Sequence, residues 1–487
     1  MTQVTVHKAA EGEQNARFQL LLGGRWVAGA GDRVPVLDKY RLESFAEVTY
    51  ADKAQADEMI KAASMAFEAG VPVAYERGEV LDRAARLVAG RKGDFISIMQ
   101  REAGFTASDA GGEVERCVQT LRLSAEEARR LAGDIVPFEG APGQRGRLAF
   151  TFRVPLGVIV AITPFNSPLN TVAHKIAPAF AAGNAVILKP ATSTPGTACL
   201  LAEILLEAGM PDGFLSLLHA GGDVVQHLLA DDRVRFFAFT GSTQVGRKIQ
   251  QIAGLRRTQM ELGSIAFTIL CDDADQDRAL PKIVNAGYRK AGQVCTSVQM
   301  LLVQSGIVDQ VTARLIKLVS DIRYGDPRNP DVLVGPVISE EEAIRIEDWI
   351  DQAISKGAKL LVGGKREGAV VPPTLLAGIT GDMNVSCAEI FGPVVAIVPF
   401  RTFDEAIARV NATPFGLASG IFTNRIDAAF AAARNLRVGG VHINETSSAR
   451  VDMMPYGGSK DSGFGREGPH YAVREMTEER IISITTG

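Results

Sequence analysis

The chain has 487 residues, 46% of them apolar, with a net charge of −4 and a pI near 6.0, which is material for about two to four domains with large cores. That balance leaves no electrostatic footprint for nucleic acid or an anionic membrane surface, and no apolar run approaches the roughly 18 to 20 residues that cross a bilayer. The opening "MTQVTVHKAAEGEQ" lacks the basic-then-apolar pattern of a secretory signal, so the expectation is a soluble, cytoplasmic enzyme acting on a small molecule, with no nucleic-acid or membrane partner.

Residues 52–134 are rich in Ala, Glu, Arg and Leu at helical spacing, as in "KAQADEMIKAASMAFEAG", and predict a coat of amphipathic helices. At 135–155, "IVPFEGAPGQRGRLAFTFRVP" reads as two extended runs around a Gly/Pro turn. From 156, short apolar runs alternate with helical stretches: "GVIVAIT", a helix over 168–182, "NAVILK", a helix over 196–209, "FLSLLH", a helix over 221–230, "RFFAFT", a helix over 242–253, and "TQMEL". This alternation implies βαβ units and a parallel sheet that binds ligands outside the carboxyl ends of its strands. A second set from 265 ("IAFTILC", "MLLVQS", "AVVPPTLL", "VVAIVPF", "SGIFT", "VHIN") implies a second α/β domain, and "RIISITTG" closes the chain as a lone strand. Isolated strands are seldom stable alone and exposed edges invite pairing with another chain, so these extended arms point to oligomerisation.

Five scattered cysteines (Cys117, Cys199, Cys271, Cys295, Cys387) show no C-x-x-C spacing, and the six histidines are equally dispersed, so no metal is expected. Gly463, Gly465 and Gly468 spell G-x-G-x-x-G, but the preceding "MPYGGSKD" reads as loop rather than strand, which makes this a poor dinucleotide turn. "FTGSTQVG" suits that role better: Gly241 and Ser242 join a strand to a helix whose N-terminus can hold a phosphate. "KAGQVCTS" puts Cys295 in a short polar loop where a thiol can be activated as thiolate, although a lone cysteine is ordinarily a buried hydrophobe. "TPFNSP" sets Asn166 at a strand end, where its amide can donate into a cleft or merely cap a helix. "MELGS" ends a strand with the carboxylate of Glu261.

Taken in order, "TPFNSP", "ILKPAT", "FTGSTQVG", "MELGS", "GQVCTS", "EIFGPV", "PFGLASGIFT" and "MPYGGSKDSGFGREG" resemble the aldehyde dehydrogenase superfamily over nearly the whole chain. The resemblance implies an α/β fold with two parallel-sheet α/β domains and a small β oligomerisation arm. A Rossmann-like cofactor-binding domain takes residues 1–134 and 156–263, a catalytic domain 264–468, and the arms of a homodimer or homotetramer 135–155 and 469–487. It implies NAD(P)-dependent oxidation of an aldehyde through a Cys295 thiohemiacetal and thioester. Asn166 and the Cys295 backbone N–H serve as oxyanion donors, and Glu261 as the general base for hydrolysis. For the cofactor it implies Thr163, Phe165, Lys189, Thr192, Gly221, Gly241, Ser242, Leu262, Glu389 and Phe391, and it rejects "GFGREG", which lies on the catalytic side.

Two departures stand out. Many NAD-preferring relatives carry an acid three positions after the lysine; here "KPAT" supplies Thr192, whose hydroxyl can donate to a 2′-phosphate, so NADP is expected to be accepted alongside NAD. Ser264 stands where many relatives have Gly, with no consequence legible in sequence. By register with the family, Asn170, Thr171 and His174 face the substrate tunnel, and Arg289 and Arg450 either face the same cavity or make structural ion pairs. Polar and basic walls favour a small hydroxylated or anionic aldehyde. The alternatives are a CoA-acylating enzyme, which generally lacks the carboxylate at Glu261, a non-catalytic structural relative, and a nucleotide-free thiol esterase.

Overall fold

The computed structural model describes residues 16–485; the expectations drawn from the first 15 residues and from 486–487 lie outside the described residues. The first sheet has eight strands, in the order Gly463–Phe464, Arg257–Glu261, Val234–Thr240, Val158–Ile162, Ala185–Lys189, Leu215–Leu217, Leu20–Leu22, Arg25–Val27. From Arg257–Glu261 to Leu215–Leu217 the pairing is parallel throughout. Buried parallel strands need apolar side chains on both faces, which "VIVAI", "AVILK" and "VRFFAFT" supply. The strand order reverses between Val158–Ile162 and Val234–Thr240, the kind of switch point that opens a ligand crevice beyond the carboxyl ends of the strands.

The second sheet has seven strands, in the order Lys359–Val362, Thr374–Ala377, Val394–Phe400, Val298–Gln304, Ala266–Leu270, Ala418–Phe422, Gly440–Ile443. Only the first of its pairings is antiparallel. Each sheet has its own buried apolar cluster, the first reaching Leu262 and the second starting at Ile265. The helices Lys53–Ala69, Ala74–Gly90, Lys92–Glu102 and Ala107–Arg130 form the expected coat on the first sheet.

Three sequence expectations change. Strands before residue 51, short and partly polar, were not foreseen: two extend the first sheet, and Ala16–Phe18, Ser44–Thr49 and Arg33–Leu37 make a small sheet of their own. The closing strand is not lone, since Thr477–Thr485 pairs antiparallel with Arg147–Pro155, which pairs with Ile135–Val136. The expected boundary at 468 also fails. Gly463–Phe464 adds to the first sheet beside Met260 and Glu261, and the next helix, Pro469–Glu475, sends Val473 into the first core.

The glycines of "GFGREG" serve this packing. Gly463 and Gly468 hold φ of 104° and 101°, and a side chain there would lie 2.0 Å from the Met260 carbonyl or 2.5 Å from that of Met454. They permit close backbone approach and leave no open cradle.

Candidate active site

A cavity of about 590 Å³ lies between the two sheets and is lined by Asn166, Glu261 and Cys295 together. Phe165, Thr171, Gly241, Ser242, Leu262, Arg289, Glu389, Phe391 and Arg450 also line it. The first sheet meets it with the carboxyl ends of its strands: Asn166 follows Val158–Ile162, Gly241 and Ser242 follow Val234–Thr240, and Glu261 closes Arg257–Glu261. The second sheet meets it with the amino ends, because Cys295 precedes Val298–Gln304 and Phe391 precedes Val394–Phe400. That reverses the carboxyl-end expectation for half of the site.

Thr163, Lys189, Thr192 and Gly221 do not line the cavity but lie at or just past the carboxyl ends of the first sheet's strands. Their chemistry fits a dinucleotide. Thr163 Oγ1 is buried without a hydrogen-bond partner, a costly state unless a ligand satisfies it. Burial lowers the Lys189 ammonium to about 8, and no carboxylate among the described residues pairs with it. Ser242 caps the helix Thr243–Ala253, whose first N–H groups and dipole suit a pyrophosphate. Across the cavity Phe165 meets Phe391 edge to face at 5.8 Å and 87°. Glu389 accepts from the Ser264 backbone N–H at 3.1 Å, and burial pushes its carboxyl up to about 8. The backbone at Ser264 thus has a role, while its buried hydroxyl has no partner and nothing in the structure explains it.

The Cys295 loop is held by an unusual turn. Lys290 and Ala291 adopt φ of 53° and 52°, and a side chain at Gly292 would lie 2.0 Å from the Gly392 carbonyl, so this position needs glycine. Lys290 Nζ bonds Glu113 at 2.7 Å and the Asn166 carbonyl at 3.1 Å. Glu113 in turn accepts from Ser167 Oγ and from the Asn170 N–H at 3.0 Å. One buried ion pair therefore ties the Cys295 loop to the Asn166 loop. The thiol is not activated here: burial pushes it up to about 11. Its Sγ lies 2.9 Å from the Tyr456 hydroxyl.

Besides Glu389, four buried carboxylates surround the cavity, and three of these four have cations. Glu113 has Lys290. Glu467 bonds Lys175 at 2.9 Å and Arg450 at 2.6 Å; burial favours its acid form, but these two charges hold it well below the usual carboxylate range. Asp452 bonds Arg116 at 2.7 Å and His174 at 2.9 Å. Glu261 has none, and both its oxygens are buried without a hydrogen bond. Burial, then the charge of Glu467, raises it well above the carboxylate range and favours its acid form.

Asn170 and His174 do not reach the cavity. Both sit behind its wall, Asn170 Nδ2 donating to Asp452 at 3.0 Å and His174 Nε2 bonding the same oxygen. Asp452 passes this support to Arg116, which lines the cavity with Arg289. Arg289 donates to Ser448 Oγ at 2.7 Å and makes no ion pair among the described residues, whereas Arg450 does pair, with Glu467. Sequence reading missed Arg116, Glu113, Lys290 and Ser448; Tyr456 and Glu467 lay unremarked in "MPYGGSKDSGFGREG". Among the described residues no cluster of His, Cys, Asp or Glu suits a metal ion.

Fold and site define an oxidoreductase with a dinucleotide crevice and a thiol facing it. Residues 26–482 match the profile of the Aldehyde dehydrogenase family, and the chain belongs to that family. Its activity is accordingly the NAD(P)-dependent oxidation of an aldehyde to a carboxylic acid. It is 44% identical to a 3-sulfolactaldehyde dehydrogenase of Priestia aryabhattai, covering 96% of this chain and 98% of the relative. Among solved structures it resembles aldehyde dehydrogenase 21 from Physcomitrella patens in complex with the reaction product succinate, at a TM-score of 0.94 and 36% identity, covering 97% and 98% of the two chains. It is equally similar, at a TM-score of 0.94 and 33% identity over 96% of this chain and 99% of the other, to an NADP-dependent glyceraldehyde-3-phosphate dehydrogenase from Bacillus halodurans C-125 complexed with NADP.

Proposed function

We propose that Cys295 is the nucleophile, Asn166 an oxyanion donor and Glu261 the general base of this oxidation. The observation carrying it is the convergence of these three residues, from distant stretches of chain, on one cavity. As the sulfur–carbon bond forms, the carbonyl π electrons move to oxygen, which accepts from the Asn166 side-chain amide and the Cys295 N–H. When bound, the nicotinamide supplies the hydride acceptor, so that Cys295 is left as a thioester. Glu261 then takes a proton from the water that attacks the thioester, the carbon–sulfur bond breaks, and the acid departs. Burial and the charge of Glu467 favour the acid form of Glu261, and this role requires its ionised form. Steady-state turnover of Cys295→Ala tests the reading, with loss of NAD(P)H formation expected.

The substrate is a small aldehyde bearing an anionic group. Arg289 and Arg116 face the cavity near Cys295, and Arg289 has only a hydroxyl for a partner. A carboxylate, sulfonate or phosphate on the substrate matches these guanidinium groups. The names of three similar proteins agree with this, since sulfolactaldehyde, succinate and glyceraldehyde 3-phosphate all carry such a group, while other relatives are named for lactaldehyde, which carries none. A panel of 3-sulfolactaldehyde and succinate semialdehyde against lactaldehyde, glycolaldehyde, benzaldehyde and hexanal decides the point; fastest turnover of hexanal contradicts it. NADP is accepted because Thr192 offers a hydroxyl, and Lys189 an unpaired ammonium, where an acid would repel the 2′-phosphate.

The three-stranded sheet of Ile135–Val136, Arg147–Pro155 and Thr477–Thr485 exposes Leu148, Ile481 and Ile484. It serves as the surface of a homodimer or homotetramer. Light scattering of the full chain against a variant with those three residues changed to Ser tests this, and an unchanged mass contradicts it.

A further inference from the structure

We propose that Tyr456 is a further catalytic residue, whose phenol donates a hydrogen bond to the Cys295 sulfur that eases its ionisation to the attacking thiolate. This rests on Cys295 being the reacting thiol. The geometry is specific: Tyr456 Oη lies 2.9 Å from Cys295 Sγ, and no other hydrogen bond among the described residues engages that hydroxyl. The side chain is buried at 6% exposure, and the Arg450 guanidinium lies over its ring at 3.7 Å. Tyr456 also exchanges both backbone hydrogen bonds with Glu467, at 3.1 and 2.7 Å, so this isolated antiparallel bridge fixes the loop carrying the phenol to the ion pair carrying the guanidinium. Ring position is therefore set from two sides before any substrate arrives.

Chemistry settles the direction of the bond. A thiol ordinarily ionises at about 8.5 and a phenol at about 10, so the sulfur gives up its proton first and the phenol keeps its own. An ionised sulfur is the stronger acceptor. The same bond lowers the thiol and raises the phenol, in keeping with Tyr456 as donor. The other groups facing the sulfur divide: the charges of Arg450 and Arg289 favour the thiolate, while those of Glu261 and Glu389 oppose it. Against the burial that pushes this thiol to about 11, the phenol is the one neutral donor that reaches the sulfur. Phenylalanine would fill the same volume, so all that the hydroxyl adds is this bond.

The test is the pH profile of Cys295 alkylation by iodoacetamide in the cofactor-free enzyme. It is followed on the Cys295 peptide, so that the exposed Cys387 does not contribute. Tyr456→Phe is expected to move the apparent thiol pKa up by about one to two pH units, the size of a hydrogen bond to a charged group. A more basic thiolate is intrinsically more nucleophilic, which offsets about half of the loss, so alkylation near pH 8 should slow about three- to tenfold. Above both thiol pKa values the order should reverse, the more basic thiolate of the Phe variant reacting faster, which a merely structural role does not predict. Coincident profiles for the two proteins overturn the proposal. Should the Phe variant fail to fold by circular dichroism, 4-aminophenylalanine at 456 decides: its neutral N–H is a weaker donor than the phenol and must move the thiol up, and an unmoved or lowered thiol overturns the proposal. Failure here differs from failure of the nucleophile itself, which appears as undiminished turnover by Cys295→Ala.

Discussion

The two sheets meet the cleft with opposite ends of their strands, and their polar atoms differ accordingly. On the first sheet's side, chain leaves strands and enters helices, exposing N–H groups and a helix N-terminus at Ser242; Thr163 Oγ1 and the Lys189 ammonium wait without partners. On the second sheet's side, chain enters strands through a tight turn at Lys290–Gly292 that fixes one thiol. Around that thiol Glu113, Asp452 and Glu467 each hold a cation, whereas Glu261 holds none and both its oxygens lack a hydrogen bond. A buried polar atom that is satisfied is structure; one left bare marks where a ligand or a proton must come and go.

The contrast breaks most sharply at the bare groups nearest the chemistry. Cys295→Ala is expected to cost about four orders of magnitude or more in turnover, with cofactor binding by fluorescence titration unchanged; retained NADPH formation breaks the division of labour between the sheets. Asn166→Ala should lower kcat about 10² to 10³-fold with little effect on KM, and an effect on KM alone would make Asn166 a binding group instead. Next in size, Arg289→Met should raise KM about ten- to a hundredfold for 3-sulfolactaldehyde and leave lactaldehyde nearly unaffected, which steady-state kinetics on the pair will show.

The satisfied groups should respond in stability rather than chemistry. Glu113→Ala strips the partner from a buried ammonium, and urea denaturation should report a loss of about 3 kcal/mol or more. The pH dependence follows from the bare groups. Burial raises both Cys295 and Glu261 and both act deprotonated, so kcat/KM should climb as pH rises from 6 to 9. A falling profile would show that the protonated form of one of them is the working one.

Both parallel sheets were legible because their strands are continuous apolar runs separated by helical stretches. The strands before residue 51 were not, being as short as three residues. Nor could the partner of Thr477–Thr485 be read, since it lies at Arg147–Pro155, more than three hundred positions away. The three residues proposed to react were legible as candidates from motif and order, and they line one cavity. The wall was not: the helix Asn170–Ala181 is buried on every face, so its periodicity could not say which side meets substrate, and Asn170 and His174 were placed one layer too near. Arg116 reads as one more charge on an amphipathic helix, and only its pairing with Asp452, 336 positions away, gives it a place.

The most direct test is intact-protein and peptide mass spectrometry of Glu261→Gln mixed with NADP and 3-sulfolactaldehyde. A burst of NADPH with a stable acyl adduct on the Cys295 peptide is the predicted result, because the thioester forms and its hydrolysis stalls. NADPH formation with Cys295 unmodified throughout would contradict the covalent route.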